Sequence, residues 1–424
     1  MDYLAETLAN GITVRTCRME GTHSITLILI LKGGAAWESR GQKGITHLVE
    51  HLCFRRRDGM NQEEFYYKIE RLGAYLRGVT SRDRVLFELT VIPERLGAAA
   101  DVLGSLFEEN GWTREDIRRE KEVVFRQLED GNDYCLETMI SDFFNHAPAG
   151  EPIAGSRKKL ERLTRPQLEA HKAELFDSAR CEIILTGPIT PDHTRYARKR
   201  FSRLVKSASK KLADITPERF LAREARHDRL FTGEADKIKI GLTFDIDTSK
   251  ITPIQAELTR GLLCDGLLTP FAARLREELG LLHEFQNNLE FYDFGGLLYF
   301  IFGAREDQAA QMMDEITGIL ARQRERLDKR AFECVGAAYT DGMAALFDSP
   351  RRFAYELAFD SGISTPQSYI ERNRQITYEQ LGETAREIFR SRNMIASIND
   401  VPLDQELMDR LYEKKELLRN TLPR

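Results

Sequence analysis

Two rhythms of apolar and polar positions run along this chain, period two in short runs and about 3.6 in longer ones, and together they predict a mixed fold of strands and helices. Leu8-Ala9-Asn10-Gly11-Ile12-Thr13-Val14 reads as a turn at Asn10-Gly11 feeding a strand, and Ser24 to Leu31 as a second, well-buried strand ended by Lys32-Gly33-Gly34. Apolar residues at Ile45, Leu48, Val49 and Leu52 then mark one face of an amphipathic helix within Gly44–Phe54. A helix near Asn61 to Leu72 leads through Gly73 into Tyr75–Thr80 and an alternating strand, Val85 to Val91, after which Pro93 opens a helix to about Asn110. Thr113-Arg114-Glu115-Asp116 is a capping-box-like start for a helix to about Asp130. Ile117, Val124 and Leu128 make its core stripe, and Glu120 and Gln127, seven apart, share a neighbouring face.

After a strand at Cys181–Gly187 the pattern starts again. Lys237 to Phe244 reads as a strand, Pro253 to Leu263 as a helix, and Gly295 to Gly303 as a strand running into a helix from Asp307 to Leu320. That last step mirrors Val85 to Asn110, so the chain reads as an internal duplication. The expected fold class is α+β, with two homologous domains, each a mostly antiparallel sheet with helices packed on one face. The boundaries expected are 1–205 for the first domain, 206–228 for a linker of mixed Lys, Arg, Ser and Ala, and 229–424 for the second.

Composition narrows the setting. At 424 residues the chain exceeds one ordinary core. A formal charge of −5, with no basic excess, argues against nucleic acid as a partner. The six cysteines are scattered without a C-x-x-C pair and read as reduced thiols of a cytoplasmic protein. No apolar run approaches membrane-spanning length, and Met1 to Leu8 lacks the pattern of a secretion signal, so neither a membrane nor export is expected.

The chemistry lies in His47-Leu48-Val49-Glu50-His51. Two histidines four apart stand one helical turn from each other, the separation at which two imidazoles can hold one tetrahedral zinc. Glu50 lands beside them, close enough to take a proton from a zinc-bound water, and H-x-x-E-H is the inverted form of the H-E-x-x-H zinc peptidase signature. The second half contains His227 and His283 but no H-x-x-E-H, so only the first half could hold this metal. Arg55-Arg56-Arg57, just after the motif, reads as a solvated helix end favourably placed on the macrodipole, in preference to a substrate contact.

Leu8–Val14, Gly44–Phe54, Arg119-Glu120-Lys121-Glu122-Val123-Val124-Phe125 and Pro148–Gly155 together resemble the insulinase and pitrilysin family of zinc peptidases, in the branch that includes mitochondrial processing peptidase and small bacterial two-subunit enzymes. The likeness covers nearly the whole length. It implies His47 and His51 as ligands of one Zn²⁺ per chain and Glu50 as general base. It also implies a third ligand seven residues after Glu120, at a position that is a glutamate in the family and Gln127 here. An amide offers a dipole where a carboxylate offers a charge, so affinity for the metal should fall. Glu129 is rotated about 200° from that face, whereas Glu120 could either become a ligand or stay behind a histidine and orient it. Three outcomes stay open: a working site with Gln127 bound, a weak site completed by partner or substrate, and a dead one.

The same resemblance implies that an extended peptide adds as a strand beside Ala74, Tyr75, Leu76, Arg77 and Gly78, where relatives carry Asn-Ala in place of Arg77-Gly78. It puts Pro270 and His283 where relatives carry a substrate-gripping arginine and tyrosine, so a homologous partner subunit is expected to supply the grip. The implied activity is zinc-dependent endopeptidase action on short or unfolded peptides, leader or precursor peptides among them, by the metal-bearing subunit of a heterodimer. The rival reading is a catalytically weak or inactive peptide-binding subunit, marked by Gln127.

Overall fold

In the computed structural model the residues described are 3–56, 59–130, 134–144, 147–204, 230–232, 238–282, 284–360, 362–400 and 405–423. The stretch read as a linker, 206–228, and His283 lie outside them. Two compact units form, and neither is continuous in sequence: one gathers 1–132, 151–214 and 344–369, the other 133–150, 215–343 and 370–424.

Six strands build the first unit's sheet: β1 (Tyr3–Thr7), β2 (Thr13–Arg18), β3 (Ile25–Lys32), β4 (Arg77–Thr80), β5 (Arg84–Val91) and β6 (Cys181–Gly187). Their order is β1-β2-β6-β3-β5-β4, which leaves β4 at an edge. Only β2 and β6 run parallel. The second unit has β7 (Leu230–Thr232), β8 (Ile238–Ile246), β9 (Glu284–Tyr292), β10 (Gly295–Ala304) and β11 (Met394–Asp400), in the order β7-β11-β8-β10-β9. Here β7 and β11 are the parallel pair. Strand for strand, β2-β6-β3-β5-β4 and β7-β11-β8-β10-β9 repeat one order and one set of directions, so the duplication and the mainly antiparallel sheets read from sequence are both present.

The β-branched and leucine run of β3 is buried from Ile25 to Leu31 because both of its faces are covered. Ile25, Leu27, Leu29 and Leu31, with Val85, Phe87, Leu89 and Val91 of β5, meet the apolar stripes of several helices in one core. Among these stripes are Ile45, Leu48, Val49 and Leu52, Phe65 and Ile69, Ala99 and Leu103, and Val124. The helix expected from Pro93 to about Asn110 is a single 3-10 turn, Pro93–Arg95, followed by Leu96–Ser105.

The opposite face of this sheet carries a helix from late in the chain, Pro350–Phe359, and grips it through polar groups. Thr186 Oγ1 donates to the Pro350 carbonyl at 2.7 Å, Arg84 to the Ala358 carbonyl at 2.5 Å, and Arg15 to the Leu357 carbonyl. Buried Glu88 accepts from Tyr355 Oη at 2.7 Å and from Arg351. The second unit has the reciprocal arrangement: Tyr134–Phe143, from the first half of the sequence, packs on β8 and β11. Met139 lies so close over Gly241 that a Cβ there would sit 2.2 Å from its Sδ.

Removing one donor from a buried carboxylate leaves it partly desolvated without compensation. Tyr355→Phe is therefore expected to destabilise the protein by about 1–3 kcal/mol, read from the urea unfolding midpoint. A midpoint equal to wild type would mean that the Glu88 contact carries no net energy.

Candidate metal centre

The motif helix is Ile45–Leu52, only eight residues, and its ends are held by groups outside it. Glu38, buried to 4% exposure, places Oε2 2.9 Å from the Gly44 N–H and Oε1 2.7 Å from the Thr46 N–H. A carboxylate at a helix N-terminus meets unpaired N–H groups and the positive end of the dipole. Burial nonetheless pushes its pKa up, against the lowering effect of Thr46, Gly44 and Lys43. Gly44 adopts a left-handed φ of 90°, and a Cβ there would come within 2.6 Å of the Ala154 carbonyl, so Ala154 and Gly155 press on the start of the helix. At the other end Trp112 Nε1, fully buried, donates to the Leu52 carbonyl at 3.0 Å, and Asn110 Nδ2 to the Arg56 carbonyl at 3.0 Å.

One turn apart, the His47 and His51 rings face each other with centroids 4.6 Å apart and planes at 72°. A helix over Arg114–Asp130, opened by the anticipated reciprocal bonds between Thr113 and Asp116, brings two polar side chains to them. Gln127 Oε1 lies 3.2 Å from His47 Nε2, and Glu120 Oε2 lies 3.0 Å from His51 Nδ1. Glu120 is also held by Arg55, which reaches Gln62 Oε1 at 2.7 Å. Arg55 is thus not the solvated helix end read from sequence, since its side chain is only 14% exposed. Arg56 pairs with Asp116 at 3.4 Å, and Arg57 lies outside the described residues. Glu129 turns away, as its rotation along the helix requires, and meets Arg157 at 3.1 Å.

Glu50 points from the motif helix to the edge strand. Thr80 Oγ1 donates to its Oε2 at 3.1 Å, and a Cβ on Gly78 would fall 2.1 Å from its Oε1, so at position 78 any larger residue displaces the carboxylate. Arg77, exposed, is paired across the strands with Glu88, on the sheet face away from Glu50. Tyr75 is 82% exposed, Leu76 is buried, and Ala74 is half-buried against the core.

Donor atoms of His47, Glu50 and His51 all lie within 4.8 Å of one another. His47 Nδ1 is buried, faces Glu50 Oε2 at 3.5 Å and makes no hydrogen bond. The 3.2 Å between His47 Nε2 and Gln127 Oε1 is close to the about 3.3 Å that separates two donors on one tetrahedral zinc with bonds of about 2.05 Å. The residues present therefore fit a small dication. Burial opposes charging His47, but the Glu50 carboxylate and the Gln127 oxygen outweigh it and raise its pKa.

Several contributors were not read from the sequence: Glu38, Thr80, Trp112 and His171, whose Nε2 lies 2.9 Å from Thr46 Oγ1. Thr80, Trp112 and His171 act from 30 to 125 positions away, and Glu38, only six to eight residues from its partners, belongs to no recognised motif. Burial lowers the His171 pKa to about 4, only weakly opposed by Glu174.

Residues 13–157 match the family described as Insulinase (Peptidase family M16), and residues 162–334 match Peptidase M16 inactive domain. The chain belongs to the M16 peptidase family. It is 20% identical over 400 residues to an uncharacterized zinc protease of Rickettsia bellii (strain RML369-C), spanning 91% of this chain and 94% of that protein. Over 209 residues it is 26% identical to mitochondrial-processing peptidase subunit beta of Saccharomyces cerevisiae, covering 48% of this chain and 45% of that one. The fold matches a protease from Helicobacter pylori at TM-score 0.80 and 16% identity, over 94% of this chain and 99% of that chain. It also matches a peptidase M16 inactive domain from Pseudomonas fluorescens at TM-score 0.82 and 13% identity, over 96% and 100%.

His171 supplies a pH test of the helix support. Its folded pKa, about 4, lies below the unfolded value of about 6.5, so between them the unfolded chain binds the extra proton. Its contribution is full above about pH 6.5 and is lost as pH falls toward 4, at most about 3 kcal/mol. His171→Gln should flatten the fall in unfolding free energy between pH 7 and 4.5, and an unchanged slope would contradict the assignment.

Proposed function

We propose that this chain is a zinc-dependent endopeptidase for short or unfolded peptides, leader or precursor peptides among them, acting in the cytoplasm as the H-x-x-E-H subunit of a heterodimer. The observation that carries this reading is the convergence of His47, His51 and Gln127 with Glu50 poised beside them. Support also comes from the zinc protease and processing-peptidase relatives. Among the described residues no helix is long and apolar enough to cross a membrane.

His47, His51 and Gln127 would hold one zinc per chain. Bound there, zinc supplies a Lewis acid that polarises a peptide carbonyl and acidifies a water. Glu50, its side chain 8% exposed and steadied by Thr80, is the carboxylate that would take a proton from an attacking water and give it to the leaving amine. Glu120 is a positioning residue: its carboxylate takes the Nδ1–H of His51 and leaves Nε2 for the metal. The peptide would run along the free edge of β4, with Ala74, Tyr75, Leu76, Arg77 and Gly78 beside it. Pro270 stands at a position where the resemblance puts a gripping side chain, so a homologous partner is the source proposed for the arginine and tyrosine.

A second reading, a non-catalytic peptide-binding subunit, is favoured by Gln127, whose neutral oxygen holds zinc less strongly than a carboxylate. Zinc content per chain, measured with and without a homologous partner, separates the two. Glu50→Gln is expected to keep stoichiometric zinc while lowering kcat for peptide cleavage by about 10²–10⁴-fold. Cleavage that survives Glu50→Gln would rule out this mechanism. Glu120→Gln is expected to weaken zinc affinity about 10–100-fold, read by chelator competition, and unchanged affinity would remove Glu120 from the support of His51.

A further inference from the structure

The donor set around His47 is electrically incomplete. Two imidazoles and the amide of Gln127 carry no formal charge, so both positive charges of a dication would remain unmet by its ligands. Nearby carboxylates are committed elsewhere. Glu120 is shared between His51 and Arg55, Glu129 binds Arg157, and Glu38 caps the motif helix. Glu50 accepts from Thr80 and lies against the Gly78 backbone, where the proposed mechanism needs it as a base.

Resting on the reading of this cluster as a zinc site, we infer that the chain binds its metal jointly with a carboxylate supplied in trans, and that Gln127 creates the requirement. The ligand class is a carboxylate, delivered either by a small organic anion or by the free carboxyl group of a bound peptide. An anion on the metal supplies the charge that the family's glutamate carries within the chain. Arg55, reaching the Glu120 carboxylate beside His51, offsets the negative charge on that side of the cluster and strengthens the demand.

The test reads zinc affinity on the full chain, not catalysis. A chromophoric chelator competes for zinc in chloride-free buffer, with and without acetate, and with one peptide made as the free acid or the terminal amide. Zinc–acetate association is measured without protein and subtracted. Acetate or the free-acid peptide is expected to tighten zinc binding about tenfold or more. Gln127→Glu should bind equally tightly without either and lose the response. A response to acetate identifies a free anion as a sufficient source, and a response to the acid peptide alone identifies the substrate.

The inference is overturned if wild type holds zinc with the same affinity in every condition, or if Gln127→Glu binds no more tightly than wild type. It also falls if Glu50→Gln, rather than position 127, sets the affinity, because Glu50 would then supply the charge internally. Zinc absent from wild type and from Gln127→Glu in all conditions defeats the metal site itself. Circular dichroism of each variant excludes misfolding as the cause.

Discussion

An eight-residue helix has too few internal hydrogen bonds to hold itself together, so the chemistry at His47, Glu50 and His51 depends on outside groups that tie down both ends of that helix. At the start, the buried Glu38 carboxylate takes two backbone N–H groups, and Gly44 adopts the left-handed turn that lets Ala154 pack against it. At the finish, Trp112 and Asn110 donate to the carbonyls of Leu52 and Arg56. Burying Glu38 is costly, and its raised pKa records that cost. Both ends of the motif helix are thus held by hydrogen bonds to its backbone.

The first unit's sheet divides its labour by face. One face is apolar and seats the helices that carry the candidate ligands. The other presents Arg15, Arg84, Glu88 and Thr186 to the helix Pro350–Phe359. Two guanidinium groups reach the carbonyls of Leu357 and Ala358 at the end of that helix, where intrahelical partners run out. A segment from the second half of the sequence therefore belongs to the first unit through these polar bonds together with its buried apolar residues, Phe353, Ala354 and Leu357. The repeat of strand order in the second unit comes with a matching exchange, Tyr134–Phe143 on β8 and β11.

Within the candidate centre, the helix Arg114–Asp130 gives its two site-facing residues different tasks. Gln127 meets His47, whereas Glu120 is shared by His51 and Arg55. A carboxylate between an imidazole and a guanidinium is well satisfied where it is, and swinging it onto a metal would strip both partners. The amide at 127 thus lies against His47 without bringing charge.

Local periodicity made much of this legible. The one-turn spacing of His47 and His51, the apolar stripe beneath them, the Thr113–Asp116 cap and the shared face of Glu120 and Gln127 all follow from helical geometry within a few turns of chain. The repeated strand and helix order disclosed the duplication. Only the tertiary structure decided that Glu120 meets His51 and Arg55 while Gln127 meets His47, and that Arg55 is enclosed rather than solvated. It alone set Gly78 against Glu50 and assigned Pro350–Phe359 to the first unit's sheet. Those outcomes turn on contacts between residues tens to hundreds of positions apart, where burial and competing hydrogen-bond partners choose among arrangements that local spacing leaves equal.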